Sequence, residues 1–574
     1  MRKQITLLYY VLIFVVTLFI PSYIYSQAPA WSWGKSIGST FADYGNSVAV
    51  DASGNVYTTG AFSWVDADFD PGPAVFNLFS FNAEDIFISK LDANGDFVWA
   101  KAIGGLSNDN GNSIAVDDSG NVYVTGLFTG TVDFDPSGSS TFNITSNNFS
   151  NDIFVLKLNS SGNFVWAKAM GGPSNDYGFS IALDASGNVY TTGVFSGTAD
   201  FDPGANSFNI TTAGFNNIFI SKLDNAGNFV WAKGMLGSTY CWGQSVNVDA
   251  SGNVLVTGRF DGTVDFDPGA GTFNLTAAGG YDIFIAKLDN AGNFLWAKGI
   301  GGTSQDVGYS IAADALGNVY TCGEFFGTAD FDPGAGTFNM TSAGSLDAFV
   351  VKLSNSGNFV WARALGGSIG DAAYSLALDG AGNVYVTGYY SGTADFDPGP
   401  NQFNLTAAGG NDIFVCKLDN AGNFGWVKDA GGAEHDVANS IALSGAGSAH
   451  LTGYFYSSSF TITSQLFNAD TSVATNDIFI AKTDIVTGTG AENFNNEILI
   501  SPNPAGNQII INSSQLSGKH VLAIYDAFGQ SVFNQQMDGK NAITIDVSEW
   551  KAGIYFAKLT GEREQWVNKI VVQH

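Results

Sequence analysis

Hydrophobic and polar positions alternate along this chain in short runs, and the runs are separated by Gly-Asn turns. SIALD (Ser180–Asp184) leads through DASGN into NVYTTGVF (Asn188–Phe195), which predicts two antiparallel strands around a tight turn. After a longer excursion, IFISKLD (Ile218–Asp224) passes through NAGN into NFVWAK (Asn228–Lys233), predicting a second pair. The third and fourth runs are apolar at both parities. In the next unit Ile283 and Ile285 point one way, and Phe284 and Leu288 the other. Strands of that kind belong to a sheet covered on both faces.

The pattern recurs. Trp33, Trp99, Trp166, Trp231, Trp296, Trp361 and Trp426 follow one another at intervals of 66, 67, 65, 65, 65 and 65 residues. Four antiparallel strands per period, each sheet covered on both sides, predict radially stacked blades better than a solenoid. The last unit ends at IFIAKTD (Ile478–Asp484) without a Trp strand, whereas the first is preceded by a spare one, WSWGKSIG (Trp31–Gly38). The expected fold is therefore all-β: a seven-bladed β-propeller over residues 27–486, closed by the N-terminal strand so that no edge is left free. The two short turns of each unit share one face. The longer crossing and the excursion GTADFDPGAGTFNMT, read as an extra hairpin, lie on the other.

Composition adds direction. Gly (71) and Phe (46) are abundant and only 13% of residues are charged, which suits strands and turns rather than helices. The net charge is −29. With +2 from the first 26 residues and a neutral tail, residues 27–498 carry −31. Such a surface repels phosphate backbones and excludes nucleic acid as a partner class. Cys241, Cys322 and Cys416 occupy unrelated repeat positions, so no disulfide framework is expected. Arg2 and Lys3 precede an apolar run from Ile5 to Ile20. As a helix this run spans roughly 24 Å against a hydrocarbon core of roughly 30 Å. Residues 1–26 therefore read as a cleaved export signal, leaving no transmembrane segment.

KLDNAGNFVWAK and DYGFSIALDASGNVYTTG resemble the SBBP-type β-propeller repeat, and the resemblance runs over about residues 31–484. It implies a propeller in an exported or surface protein and no single activity. The seventh unit departs from it: its turn reads SGAGS (Ser444–Ser448) and its excursion lacks DFDPG, so a break in the ring of hairpins is expected there.

After a linker (487–498), residues 499–574 alternate as short strands that predict a small C-terminal β-sandwich. SPNPA, IYDAFGQSV, GIYFAKL and NKIVV, containing Pro502, Asn503, Pro504, Gly529, Gly553, Tyr555 and Lys569, resemble the type A C-terminal sorting domain of the type IX secretion system of Bacteroidota. The resemblance implies the type IX machinery as a partner and an extracellular or outer-surface location.

Candidate chemistry is sparse. Asp68/Asp70, Asp133/Asp135, Asp200/Asp202, Asp265/Asp267, Asp330/Asp332 and Asp395/Asp397 each place two carboxylates on one side of a strand. They could offer oxygens to Ca²⁺, yet calcium takes six to eight ligands, and Asp before Pro-Gly also stabilises turns. No cofactor is required. The crossing aspartates (Asp43, Asp109, Asp176, Asp306, Asp371, Asp436) recur too often to be catalytic; the fourth unit has Cys241 there, flanked by Tyr240 and Trp242. Trp64 is another unmatched aromatic. Trp64, Tyr240 and Trp242 are candidates for binding a glycan or a surface protein, or for local packing. The FNIT-type sequons read as strand residues. Four histidines form no metal or catalytic motif, so no catalytic residue is assigned. The expectation is a non-enzymatic binding or scaffold module. The alternative is a polysaccharide lyase or hydrolase on a propeller scaffold, for which Arg259 and Glu324 are the charged departures from the repeat.

Overall fold

The computed structural model describes residues 28–63, 67–80, 83–445, 447–456, 460–462, 465–467, 475–485, 498–501, 507–513, 521–526, 530–536, 542–560 and 565–572. These residues are all-β, in antiparallel sheets with propeller-like repeats; one 3₁₀ turn, Asn147–Phe149, interrupts them. The expected export signal and all of the expected linker but Ile498 lie outside the described residues.

Each repeat forms a four-stranded antiparallel unit. In the third, Tyr177–Leu183 pairs with Val189–Phe195, which pairs with Asn217–Leu223, which pairs with Phe229–Gly237. The turn between the first two is built by Asp184. Its Oδ1 accepts the amides of Ser186 and Asn188, its Oδ2 accepts the Tyr190 hydroxyl, and Gly187 takes φ +77°. Burial pushes this carboxyl up, but the bonds from Asn188, Ser186 and Tyr190 outweigh it and hold its pKa below the usual range.

The apolar cores lie between repeats, as the two-sided strands require. Phe284, Ala286 and Leu288 pack with Tyr190, Ile218 and Ile220 of the preceding repeat, whereas Ile283 and Ile285 pack with Val319, Phe325 and Phe349 of the following one. Six of the seven repeated tryptophans add a lock, Trp426 being the exception. The Trp296 indole donates to the Asn355 carbonyl of the next repeat at 3.1 Å and lies flat against Gly357, whose φ is +75°. A Cβ on Gly357 would sit 3.0 Å from that indole, so the site demands glycine twice over.

First strands pack side by side from repeat to repeat. At five junctions a serine accepts an amide of the next repeat: Ile114 N–H to Ser47, Ile181 to Ser113, Val246 to Ser180, Leu376 to Ser310 and Ile441 to Ser375, at 3.1–3.3 Å. Val48 donates in the same way to Ser440 of the last repeat, and Tyr44–Val50 packs against Asp436–Ser444. The expected pairing of the termini is present. Trp31–Ile37 runs antiparallel to Asp477–Asp484, with Gly34 opposite Ala481 and Ile37 opposite Ile478.

The excursions form short hairpins, such as Thr198–Asp200 with Asn209–Thr211. Their first strands bond to the end of the preceding repeat's fourth strand: Leu236 opposite Asp265, Gly301 opposite Asp330, Gly366 opposite Asp395 and, across the termini, Gly38 opposite Asp68. The break expected in the seventh repeat is not found. Phe460–Ile462 pairs with Gln465–Phe467, and Thr461 bridges Gly431 where other repeats use aspartate. A strand pair needs only backbone groups, so losing DFDPG shortens the hairpin without abolishing it.

In the C-terminal region Ile498–Ser501, Gln508–Ser513 and Ala542–Asp546 form one sheet; Ser531–Gln536, Val521–Asp526, Gly553–Thr560 and Gln565–Val572 form another. Ile509, Ile511, Ile543 and Ile545 of the first share a core with Leu522, Ile524, Tyr555, Ala557, Ile570 and Val572 of the second.

Candidate functional site

The six aspartate pairs sit at the hairpins and work on the backbone. In each, Oδ1 of the first aspartate accepts the amides of its partner and of a phenylalanine beyond the turn, at 2.7–3.1 Å (Asp68, Asp133, Asp200, Asp265, Asp330, Asp395). Oδ1 of the second accepts one more amide, as Asp332 does from Gly334 at 2.8 Å; Asp70, Asp135, Asp202, Asp267 and Asp397 do the same. Among the described residues no group of three or more His, Cys, Asp or Glu converges on one point.

Trp64, Pro502, Asn503, Pro504 and Gly529 lie outside the described residues. Gly553 opens its strand, Lys569 pairs in register with Phe556, and the Tyr555 hydroxyl donates to the Lys551 carbonyl at 2.8 Å. Cys241 is fully buried, and burial pushes its thiol up to about 12, so it is inert as a nucleophile. Tyr240 is exposed and stacks on Phe215 with centroids 4.7 Å apart.

Trp242 belongs to a larger arrangement. In the first strand one position holds Asn46, Asn112 and Asn439, which bond the next repeat through Gly111, Gly178 and Gly45. The third to sixth repeats carry Phe179, Gln244, Tyr309 and Tyr374 there instead. Two residues before that position the first strand is paired with a second-strand position that holds Ala61, Leu127 and Val194, then Arg259, Glu324, Tyr389 and Tyr454. Arg259 and Glu324 thus occupy the same place in adjoining repeats.

Their geometry is specific. The Arg259 guanidinium lies 4.2 Å from the Trp242 ring centroid and 4.9 Å from that of Tyr281, a cation between two π faces. The Tyr309 hydroxyl donates to Glu324 Oε1 at 3.0 Å, and Tyr374 packs edge-on to Tyr309 at 5.0 Å. Phe179 lies 5.8 Å from Trp242 on the other side. Burial raises the Glu324 pKa, partly offset by the Tyr309 bond and the positive Arg259. Arg259 Nε and Trp242 Nε1 are buried donors with no hydrogen-bond partner. A cleft of ≈ 450 Å³ lies elsewhere, by Tyr385, Lys417 and Ser444 on the short-turn side. It opens where the last repeat lacks the turn into a fourth strand.

No helix among the described residues is long and apolar enough to cross a membrane. The chain is 24% identical over 482 residues to an uncharacterized WD repeat-containing protein of Acanthamoeba polyphaga mimivirus, covering 69% of this chain and 34% of that one. It is 27% identical over 169 residues to the regulatory protein FlaEY of Caulobacter vibrioides, covering 29% of this chain and 17% of that one. The chain thus spans about a third or less of these relatives. Among solved structures, Sqt1 from Chaetomium thermophilum aligns over 79% of this chain and 99% of its own at TM-score 0.28 and 11% identity. Latent PorU from Porphyromonas gingivalis aligns over 68% and 32% at TM-score 0.12 and 12% identity. The model of the secretion system C-terminal sorting domain matches residues 499–573, and that of the beta-propeller repeat matches 98–127 and 165–194. This is a secreted or cell-surface protein that carries SBBP β-propeller repeats ahead of a type IX secretion sorting domain.

Proposed function

We propose that the repeats close into a seven-bladed propeller, sealed by Trp31–Ile37, that serves as a displayed binding module, with the tail folded as a β-sandwich that engages the type IX machinery. The pairing of Trp31–Ile37 with Asp477–Asp484 and the Val48–Ser440 bond support the closure. The ligand site is the basin formed by Phe179, Trp242, Arg259, Tyr309, Glu324 and Tyr374. One observation carries this reading: over adjoining repeats only, the positions of the stitching asparagines carry Phe179, Gln244, Tyr309 and Tyr374, and the three aromatics together with Trp242 surround one cation and one carboxyl. The chemistry suits a glycan bearing an acidic group, its ring faces stacking on Trp242 or Tyr374 and its carboxylate or sulfate meeting Arg259.

A glycan array probed with the purified protein tests this. Arg259→Ala and Trp242→Ala should each weaken the best acidic-glycan signal at least about tenfold, a loss of about 1.4 kcal/mol, while Leu127→Ala at the matching place in the second repeat leaves it intact. Equal binding by all three variants sinks the site. The enzymatic alternative has one specific observation behind it, a Glu324 carboxyl raised by burial and bonded to Tyr309, as a general acid would be. New reducing ends or unsaturated products released by the unmodified protein, and abolished in Glu324→Gln, would favour that alternative.

A further inference from the structure

Buried aspartates meet in pairs at the repeat junctions. One opens the third strand of a repeat and the other lies in the crossing that follows: Asp282 with Asp306, Asp347 with Asp371, Asp412 with Asp436. Asp282, Asp347 and Asp412 are 5%, 3% and 3% exposed. In each, Oδ2 accepts the amide of the residue four earlier (Ala278, Ala343, Ala408) at 2.8 Å, and Oδ1 is buried with no hydrogen-bond partner. The crossing carboxylates each accept two amides, Asp306 from Phe326 and Gly302, and Asp371 from Ser391 and Gly367, which leaves lone pairs for a further donor. At the Asp347–Asp371 junction the two carboxyls face each other across a glycine. A Cβ built on Gly366 would lie 2.8 Å from Asp371 Oδ2 and 3.0 Å from Asp347 Oδ1, and Gly171 stands in the same relation to Asp152 and Asp176.

One junction shows what the orphaned oxygen needs. Between the third and fourth repeats both acids are gone together, replaced by Asn217 and Cys241. Asn217 Oδ1 accepts the Ala213 amide, as the aspartate Oδ2 atoms accept theirs, so its Nδ2 stands where the other junctions have the unpartnered Oδ1. That Nδ2 donates to the Gly237 carbonyl at 3.0 Å and lies 3.5 Å from Cys241 Sγ. The surroundings are acceptors, and the position calls for a donor. A carboxylate has none to give; a carboxylic acid does.

We propose that these junctions hold buried protons: Asp282, Asp347 and Asp412 are carboxylic acids in mildly acidic solution, each donating from Oδ1 toward the crossing carboxylate, in the role that the Asn217 amide plays in the third repeat. The charged groups around them favour this state. Asp306 and Asp261 face Asp282, Asp371 faces Asp347, and Asp429 faces Asp412, all acidic. Tyr389 and Tyr390 stand near Asp371 as neutral phenols, with burial pushing both their pKa values up. The ion pairs among the described residues involve other aspartates, Asp184, Asp249 and Asp314. Burial leads the upward shift, to about 7 at Asp282 and about 6 at Asp347 and Asp412. An aspartate in the unfolded chain titrates near ~3.9. A folded-state pKa above that value gives stability that is full below about 3.9 and is lost as the pH rises through about 6 to 7.

The test uses the full chain and two single variants, Asp347→Asn and Asp282→Asn. Infrared spectra of the unmodified protein at pH 5 should contain a protonated-carboxyl C=O band that shrinks in each variant. Each variant should melt on the order of 2 °C above the unmodified protein at pH 8 and level with it at pH 5. A band at pH 5 that is the same in the unmodified protein and both variants overturns the proposal. So does an equal loss of Tm at both pH values, which would mean a purely structural role. A rise in Tm on adding Ca²⁺ at pH 8, lost in Asp347→Asn, also overturns it and places a cation between the carboxylates.

Discussion

The amide of Val48 donates to the hydroxyl of Ser440 at 3.2 Å, joining the first repeat to the last by the bond that joins Ile114 to Ser47. In the proposed closed ring this junction is equivalent to the others. Ser440→Ala should therefore cost the same as Ser113→Ala, about 1 kcal/mol each by chemical denaturation. A measurable loss for Ser113→Ala beside none for Ser440→Ala would mean an open array.

Among the described residues Lys287 and Asp249 form the tightest ion pair, 2.8 Å apart with both side chains 2% exposed. Leu255 stands where other repeats place a tyrosine whose hydroxyl holds the turn aspartate, as Tyr190 holds Asp184. Removing the lysine leaves Asp249 buried without its counter-ion, whereas Asp184, 3.9 Å from Lys222, keeps its tyrosine. Lys287→Met should cost about 3 kcal/mol and Lys222→Met about 1. Equal losses would refute this account.

Gly357 combines a left-handed backbone with contact to the Trp296 indole. Gly357→Ala should lower stability by about 2 kcal/mol, from the backbone penalty and the displaced ring. Trp296→Ala in the same background should relieve part of that loss, a coupling readable in a double-mutant cycle.

Asp330 anchors its hairpin through Oδ1, which asparagine retains. Asp330→Asn should leave the melting temperature unchanged, Asp330→Ala should lower it by the equivalent of about 1 kcal/mol, and EGTA should shift neither. A drop of several degrees with EGTA, matched by Asp330→Asn, would assign the pair to calcium instead.

Most of the architecture is legible in the sequence because each strand pair is local and each turn carries its own Asp-Gly-Asn chemistry. Ile283 and Phe284 even announce which of two neighbouring cores each will enter. The candidate basin is harder to read. Arg259 and Glu324 look like unrelated oddities along the chain, and only superposing the repeats puts them, with Tyr309 and Trp242, on adjoining strands. The paired acids hide for a different reason: Asp347 in SLDAF looks like an ordinary strand-opening residue. The joint departure of Asn217 and Cys241 from the repeat is the one signal that the two positions touch. Thr461 shows the opposite limit, since its backbone makes a bridge that its side chain does not advertise.

The partner of the N-terminal strand is the final strand of the repeat region, placed just ahead of the secretion tail. Synthesis therefore delivers the sorting address only after every one of the repeats exists. A chain cut short anywhere in the repeats would lack its address along with its last sheet, so defective copies remain behind without any separate inspection step.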